Sequence, residues 1–75
     1  MPKKVRELRA DLRRAGWSIT RQRGSHETWY HPLITVPFVL AGKDGDDADG
    51  YQEREVRRAI RTSKRAEAQK KGKQP

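Results

Sequence analysis

The apolar residues near the start of the chain recur every three or four positions, and they are Val5, Leu8, Leu12 and Ala15. This spacing places them on one face of an α-helix, which we predict over residues 3–15. Gly16 follows this segment. Glycine enters the left-handed backbone region freely, so Gly16 is the expected cap at the end of the helix.

Residues 17–37 show the alternation of apolar and polar side chains that is typical of half-buried β-strands. The first strand begins at Trp17, and the polar segment 22–25 contains a glycine and predicts a hairpin turn. A second strand is predicted from His26 to His31. The third covers residues 33–36 and is expected to end at Pro37, because proline disrupts the hydrogen bonding of a strand.

The next two segments differ in character. The apolar residues 38–41 either continue the third strand or form a plug under a loop, and the Gly/Asp-rich residues 42–50 predict that loop. A second helix is predicted over residues 51–70, with Asp49 as its N-terminal cap. Its apolar face consists of Val56, Ala59 and Ile60. We expect one domain over residues 1–70 and a disordered basic tail over residues 71–75.

These elements predict an α+β fold with the order α-β-β-β-α and a three-stranded antiparallel sheet. Each helix has a single apolar stripe, so both helices should cover the same face of the sheet. Trp29 should face the helices, together with Glu27 and His31, and it should pack against four apolar side chains of the other strands: Trp17, Ile19, Ile34 and Val36. His26, Thr28 and Tyr30 then lie on the uncovered face.

Charge and composition narrow the class of ligand. The net charge is +8, the sequence pI is about 10.5, and basic residues dominate both ends of the chain. This distribution favours nucleic acid over a membrane, because the basic helices lack a large apolar face. The Asp-rich residues 44–49 have no glycine at the sixth position of a calcium loop. There is no cysteine and no phosphate-binding glycine loop. We therefore expect no metal, no other cofactor and a cytoplasmic location.

The uncovered face brings together groups that suit RNA cleavage without a metal. Histidine can take the proton of a ribose 2′-hydroxyl, and arginine can bind phosphate oxygens in a bidentate manner. His26 is the candidate catalytic residue. Arg23 is the candidate phosphate ligand, Gly24 and Ser25 allow the backbone to approach a phosphate, and Tyr30 could stack on a base. From the residues alone, a surface or packing role for His26 stays open.

Residues 5–37 resemble the HicA-like (YcfA-type) toxins of bacterial toxin–antitoxin pairs. The resemblance rests on the spaced apolar helix and on three short motifs, Ala15-Gly16-Trp17, Arg21-Gln22-Arg23-Gly24-Ser25-His26 and Thr35-Val36-Pro37, with His31-Pro32 between the last two. It implies a fold similar to double-stranded-RNA-binding domains and an mRNA interferase that cuts RNA without a metal. It also implies a catalytic histidine at His26, an RNA-binding Arg21 beside Arg23, and a HicB-like antitoxin that covers the histidine.

The chain departs from this family where many members carry a second histidine, because Glu27 follows His26. Alternation places Glu27 on the opposite face of the strand, so we do not pair the two residues. Two other functions stay open. One is a non-catalytic RNA-binding module of the same fold, and the other is a small basic accessory protein of the ribosome.

Overall fold

The computed structural model describes residues 3–72 and contains two helices and three strands. They are α1 (Val5–Arg14), β1 (Ser18–Arg23), β2 (His26–His31), β3 (Ile34–Ala41) and α2 (Gly50–Gly72). The strands form one antiparallel sheet in the order β1-β2-β3. The predicted fold class and element order are confirmed. Helix α2 runs past its expected end at residue 70, and residues 73–75 of the predicted tail lie outside the described residues.

Hydrogen bonds from residues in and next to α1 cap the backbone groups at both ends of this helix. At the start, the Glu7 carboxylate accepts the backbone N–H of Lys4 at 2.7 Å. At the end, Gly16 adopts a φ of +96° and donates to the carbonyl of Arg13, while Trp17 donates to the carbonyl of Leu12. These two bonds form a Schellman motif, which explains why glycine is needed at this position and confirms the predicted cap.

The turn of the β1–β2 hairpin sets the pairing of the residues next to it. Its loop contains only Gly24 and Ser25, and Gly24 has a φ of +57° whereas Ser25 has a negative φ. This combination is typical of a type II′ turn, in which glycine occupies the first loop position. The turn places Arg23 directly opposite His26.

Strand β3 is longer than predicted, and Pro37 does not end it. The strand continues to Ala41, so the apolar residues 38–41 belong to the sheet. Proline is tolerated because β3 is an edge strand, where half of the backbone N–H groups face solvent. The expected burial of Val36 is also wrong, since this residue is 70% exposed. The pairing with β2 is irregular between Trp29 and His31, where residues 35–37 of β3 lie opposite the single residue Tyr30, and Val36 is in this irregular stretch.

The core lies between the sheet and both helices. Trp29 is fully buried at its centre, and the other large buried apolar side chains are Val5, Leu8 and Leu12 of α1, Trp17, Leu40 of β3 and Val56 of α2. Ile19, Ile34 and Phe38 are partly buried against this cluster. The Trp17 indole N–H donates to Ser63 Oγ at 3.2 Å, which fixes α2 against the sheet. Both helices therefore cover one face, as predicted.

The acidic segment between β3 and α2 packs against the start of α1. Backbone carbonyls of Asp46 and Asp44 accept the N–H groups of Val5 and Arg6, which have no partner within the helix. Lys4 Nζ lies 2.5 Å from Asp47 Oδ1. Helix α2 begins directly after Asp49, the predicted cap. Within residues 3–72, neither helix is long and apolar enough to cross a membrane.

Candidate functional site

The uncovered face of the sheet carries the residues that the sequence placed there. His26 and Tyr30 are exposed and Thr28 is half-buried, and all three belong to β2. On β1, Arg23 lies opposite His26 and Arg21 lies opposite Thr28. Residues directly opposite each other in antiparallel strands have Cβ atoms about 5 Å apart. The sheet therefore brings one imidazole and two guanidinium groups into one small exposed area.

No carboxylate of the three strands shares this face with His26. Glu27 is the only acidic residue of β1–β3, and it is buried on the helix side. On β3, Ala41 lies opposite His26 and the exposed Val39 lies opposite Thr28. The imidazole consequently has a cationic neighbour on one side and a small apolar one on the other, which suits an anionic ligand such as a phosphodiester.

The hairpin turn beside His26 is open to solvent. A Cβ added to Gly24 would meet no atom within 4 Å, so the glycine serves the turn conformation and leaves the backbone accessible. The Ser25 carbonyl accepts the N–H of Gly42 at 3.2 Å, which ties the turn to the end of β3. The predicted phosphate-binding turn is thus held at a fixed position next to the histidine.

Glu27 has a structural partner on the opposite face. Its Oε1 atom accepts a hydrogen bond from Arg9 Nε at 2.8 Å, and both side chains are buried. Arg9 also donates to the Gly42 carbonyl at 2.6 Å and to the Asp44 carboxylate. This network links α1, β2 and the acidic segment. Glu27 therefore does not contact His26, in agreement with the sequence-based expectation.

His31 is buried and serves the fold. Its Nδ1 atom accepts the backbone N–H of Leu33 at 3.1 Å, which stabilises the turn between β2 and β3. Its ring lies 5.5 Å from the Trp17 ring, between centroids, and it packs against Gly16. The sequence pattern predicted that His31 faces the helices, and its burial and contacts confirm this position.

A groove next to the hairpin turn contains residues that the sequence analysis did not select. Its volume is about 520 Å³, and its lining includes Arg13, Gln22 and Lys43 as well as Ser25. Gln22 reaches this side because the pairing of β1 with β2 shifts between Ile19 and Arg21. Sequence alternation alone does not reveal such an irregularity. Arg9 and Glu27 also line this groove, so it lies on the helix side of the sheet and not on the face that carries His26.

Metal-binding groups do not converge in the described residues. Between residues 3 and 72, no three His, Asp or Glu side chains lie close enough to hold one ion. The groups that the uncovered face offers for chemistry are an imidazole, two guanidinium groups, a phenol and backbone amides. This set can move a proton and bind phosphate oxygens.

Comparison with known families decides the assignment. The family model described as the HicA toxin of bacterial toxin–antitoxin systems matches residues 5–62, which is more than three quarters of the chain. The chain belongs to the HicA toxin family. No curated protein and no solved structure gives a significant match. As a HicA toxin, the protein belongs to a toxin–antitoxin system, and this class implies a cognate antitoxin.

Proposed function

We propose that this HicA toxin is an mRNA interferase, a metal-independent endoribonuclease that cleaves single-stranded mRNA in the cytoplasm and uses His26 for proton transfer. The observation that carries the proposal is the position of His26, exposed on the uncovered sheet face directly opposite Arg23. A general base must be accessible to its substrate, and a phosphodiester needs a cation beside it.

In the proposed reaction, the His26 imidazole accepts the proton of a ribose 2′-hydroxyl. The 2′-oxygen forms a bond to the adjacent phosphorus, and the bond from phosphorus to the 5′-oxygen of the next nucleotide breaks. A water molecule supplies a proton to this leaving oxygen, and the hydroxide that remains takes the proton from the His26 imidazolium, which restores the neutral base. The products are a 2′,3′-cyclic phosphate and a 5′-hydroxyl end, and no oxidant or further co-reactant is needed.

The neighbouring residues bind the substrate in this proposal. Arg23 and Arg21 bind phosphate oxygens, with Arg23 closest to the reacting phosphate because it lies opposite His26. Backbone N–H groups at Gly24 and Ser25 contact the same or the adjacent phosphate. The exposed ring of Tyr30 stacks on an unpaired base, which favours single-stranded over double-stranded RNA.

We further propose that a HicB-like antitoxin covers this face and blocks access to His26. Two exposed apolar side chains, Tyr30 and the 57% exposed Val39, lie on the same face as the two arginines. Aromatic and apolar residues surrounded by arginine are typical of protein interfaces. An antitoxin bound here would exclude RNA by occupying the face itself.

The test is a cleavage assay of the purified protein in excess chelator, with a single-stranded RNA and a matched oligonucleotide that carries 2′-deoxyribose throughout. We expect cleavage of the RNA, with 2′,3′-cyclic phosphate ends, and no cleavage of the deoxyribose oligonucleotide. Binding of the RNA without cleavage would contradict the proposal and would favour the non-catalytic RNA-binding module.

A further inference from the structure

Six cationic residues lie along one solvent-facing sector of α2. They are Arg54, Arg57, Arg58, Arg61, Lys64 and Arg65, and all six are exposed. At 3.6 residues per turn they fall within one sector of the helix, directly opposite the buried Val56 and Ser63. We call these six residues the α2 stripe. Between residues 54 and 65, no other residue lies in this sector.

The α2 stripe is not neutralised by the rest of the protein. In the described part of the chain, none of the six residues forms an ion pair. The helix has three glutamates, Glu53, Glu55 and Glu67, and their positions place them outside the sector. Glu67 instead lies 3.8 Å from His31 Nε2. The stripe therefore presents an uninterrupted positive surface.

Four of the arginines enclose a shallow hollow. Arg54, Arg57, Arg58 and Arg61 line a volume of about 230 Å³. The stripe extends over about 16 Å, because its two ends are eleven positions apart and each position adds about 1.5 Å of helix. Guanidinium groups bind phosphate oxygens in a bidentate manner, so a row of them suits several phosphates along one strand.

The α2 stripe and His26 lie on opposite sides of the molecule. Helix α2 packs its buried side onto the core between the helices and the sheet, whereas His26 lies on the sheet face that no helix covers. A short RNA bound at His26 does not reach the stripe. A polyanion bound to the stripe would therefore be a separate molecule or a distant segment of a long RNA.

The composition of the stripe favours a nucleic acid over a protein. Protein interfaces have an apolar centre, and the sector between residues 54 and 65 contains no apolar side chain. Interfaces with nucleic acid are more polar and much more positively charged. We propose that the α2 stripe is a second RNA-binding surface, which binds the phosphate backbone of a distant RNA segment without sequence preference. This inference rests on the proposed function in one respect, that RNA is the substrate.

The test uses the His26→Ala protein, so that RNA remains intact while its binding is measured. The stripe variant adds Arg57→Gln and Arg61→Gln. A matched control adds Arg6→Gln and Lys70→Gln, which remove the same charge from exposed positions outside the stripe and outside the sheet face. Glutamine is a good helix former, so both variants should keep their helices. Fluorescence anisotropy with a 40-nucleotide RNA gives the dissociation constant as a function of salt.

Loss of two phosphate contacts should weaken binding about 25-fold at 0.1 M salt and lower the salt slope by about 1.4. The control should weaken binding less than threefold. Equal affinities for the stripe variant and the control would overturn the inference, and so would a stripe variant that binds RNA normally but loses affinity for the antitoxin.

Cleavage separates this inference from the proposed function. In the presence of His26, the stripe variant should cleave an eight-nucleotide RNA at the normal rate and a long RNA with a raised KM. If no protein with His26 cleaves RNA while the stripe effect on binding persists, the proposed function fails and the second surface stands. If cleavage occurs and the stripe has no effect on binding, only the second surface fails.

Discussion

The two histidines of β2 lie five positions apart on the same strand and face opposite environments. His26 is exposed on the uncovered side of the sheet, opposite Arg23. His31 is buried under α2, where it packs against Trp17 and accepts a hydrogen bond from Leu33. The same residue type therefore stabilises the fold on one face of the sheet and is accessible to a ligand on the other.

Successive residues of a strand point to opposite faces of the sheet, so in this protein of 75 residues the same strand supplies side chains to the core and to the candidate site. Inner-face residues such as Glu27 are buried in the thin core, whereas outer-face residues such as Arg23 are exposed and do not contribute to it. Substitutions on the inner face should change the free energy of unfolding. Those on the outer face should change cleavage with the stability unchanged.

The largest effect on stability is expected for Glu27→Gln. The substitution leaves the buried guanidinium of Arg9 without its buried carboxylate, which costs about 3 kcal/mol. Urea denaturation of both proteins measures the difference in the free energy of unfolding. As a control, Arg9→Met combined with Glu27→Leu removes both charges and should recover at least half of the loss. A single variant as stable as the parent would show that Glu27 has no such role.

His31→Ala should lower the free energy of unfolding by about 2 kcal/mol. The substitution opens a cavity beside Trp17 and removes the acceptor for the Leu33 N–H. Cleavage at a temperature where the variant is fully folded should stay within about twofold of the parent rate. Loss of cleavage in the folded variant would break the comparison, because it would give the buried histidine a part in the chemistry.

Arg23→Gln should have the smallest effect, a reduction of cleavage by about tenfold, which corresponds to about 1.4 kcal/mol of transition-state stabilisation. Its melting temperature should not change, because the side chain is exposed. Arg14→Gln, at an exposed position at the end of α1, is the matched control and should leave cleavage unchanged. Similar losses for the two variants would point to net charge in place of a specific contact.

Local patterns were sufficient to predict most of the fold. The spacing of Leu8 and Leu12, the cap at Gly16 and the bounds of β2 each depend on a few neighbouring residues, and the structure confirms them. The uncovered face was predictable because Trp29 is the largest apolar group of β2, and its burial determines where His26 points.

The features that the sequence did not reveal depend on contacts between distant residues. Pro37 argued for the end of β3, but an edge position allows the strand to continue to Ala41. The pairing irregularities that expose Val36 and turn Gln22 inward arise between strands and leave no local signal. The pairing of Arg9 with Glu27 joins residues 18 positions apart.

The most direct test of the catalytic assignment is the single-turnover cleavage rate of His26→Ala in excess chelator, measured beside the parent protein at equal melting temperature. Removal of a general base should reduce the rate by about 10²–10⁴-fold while the fold remains intact. A folded His26→Ala protein that cleaves RNA at the parent rate would contradict the assignment of His26 as the catalytic residue.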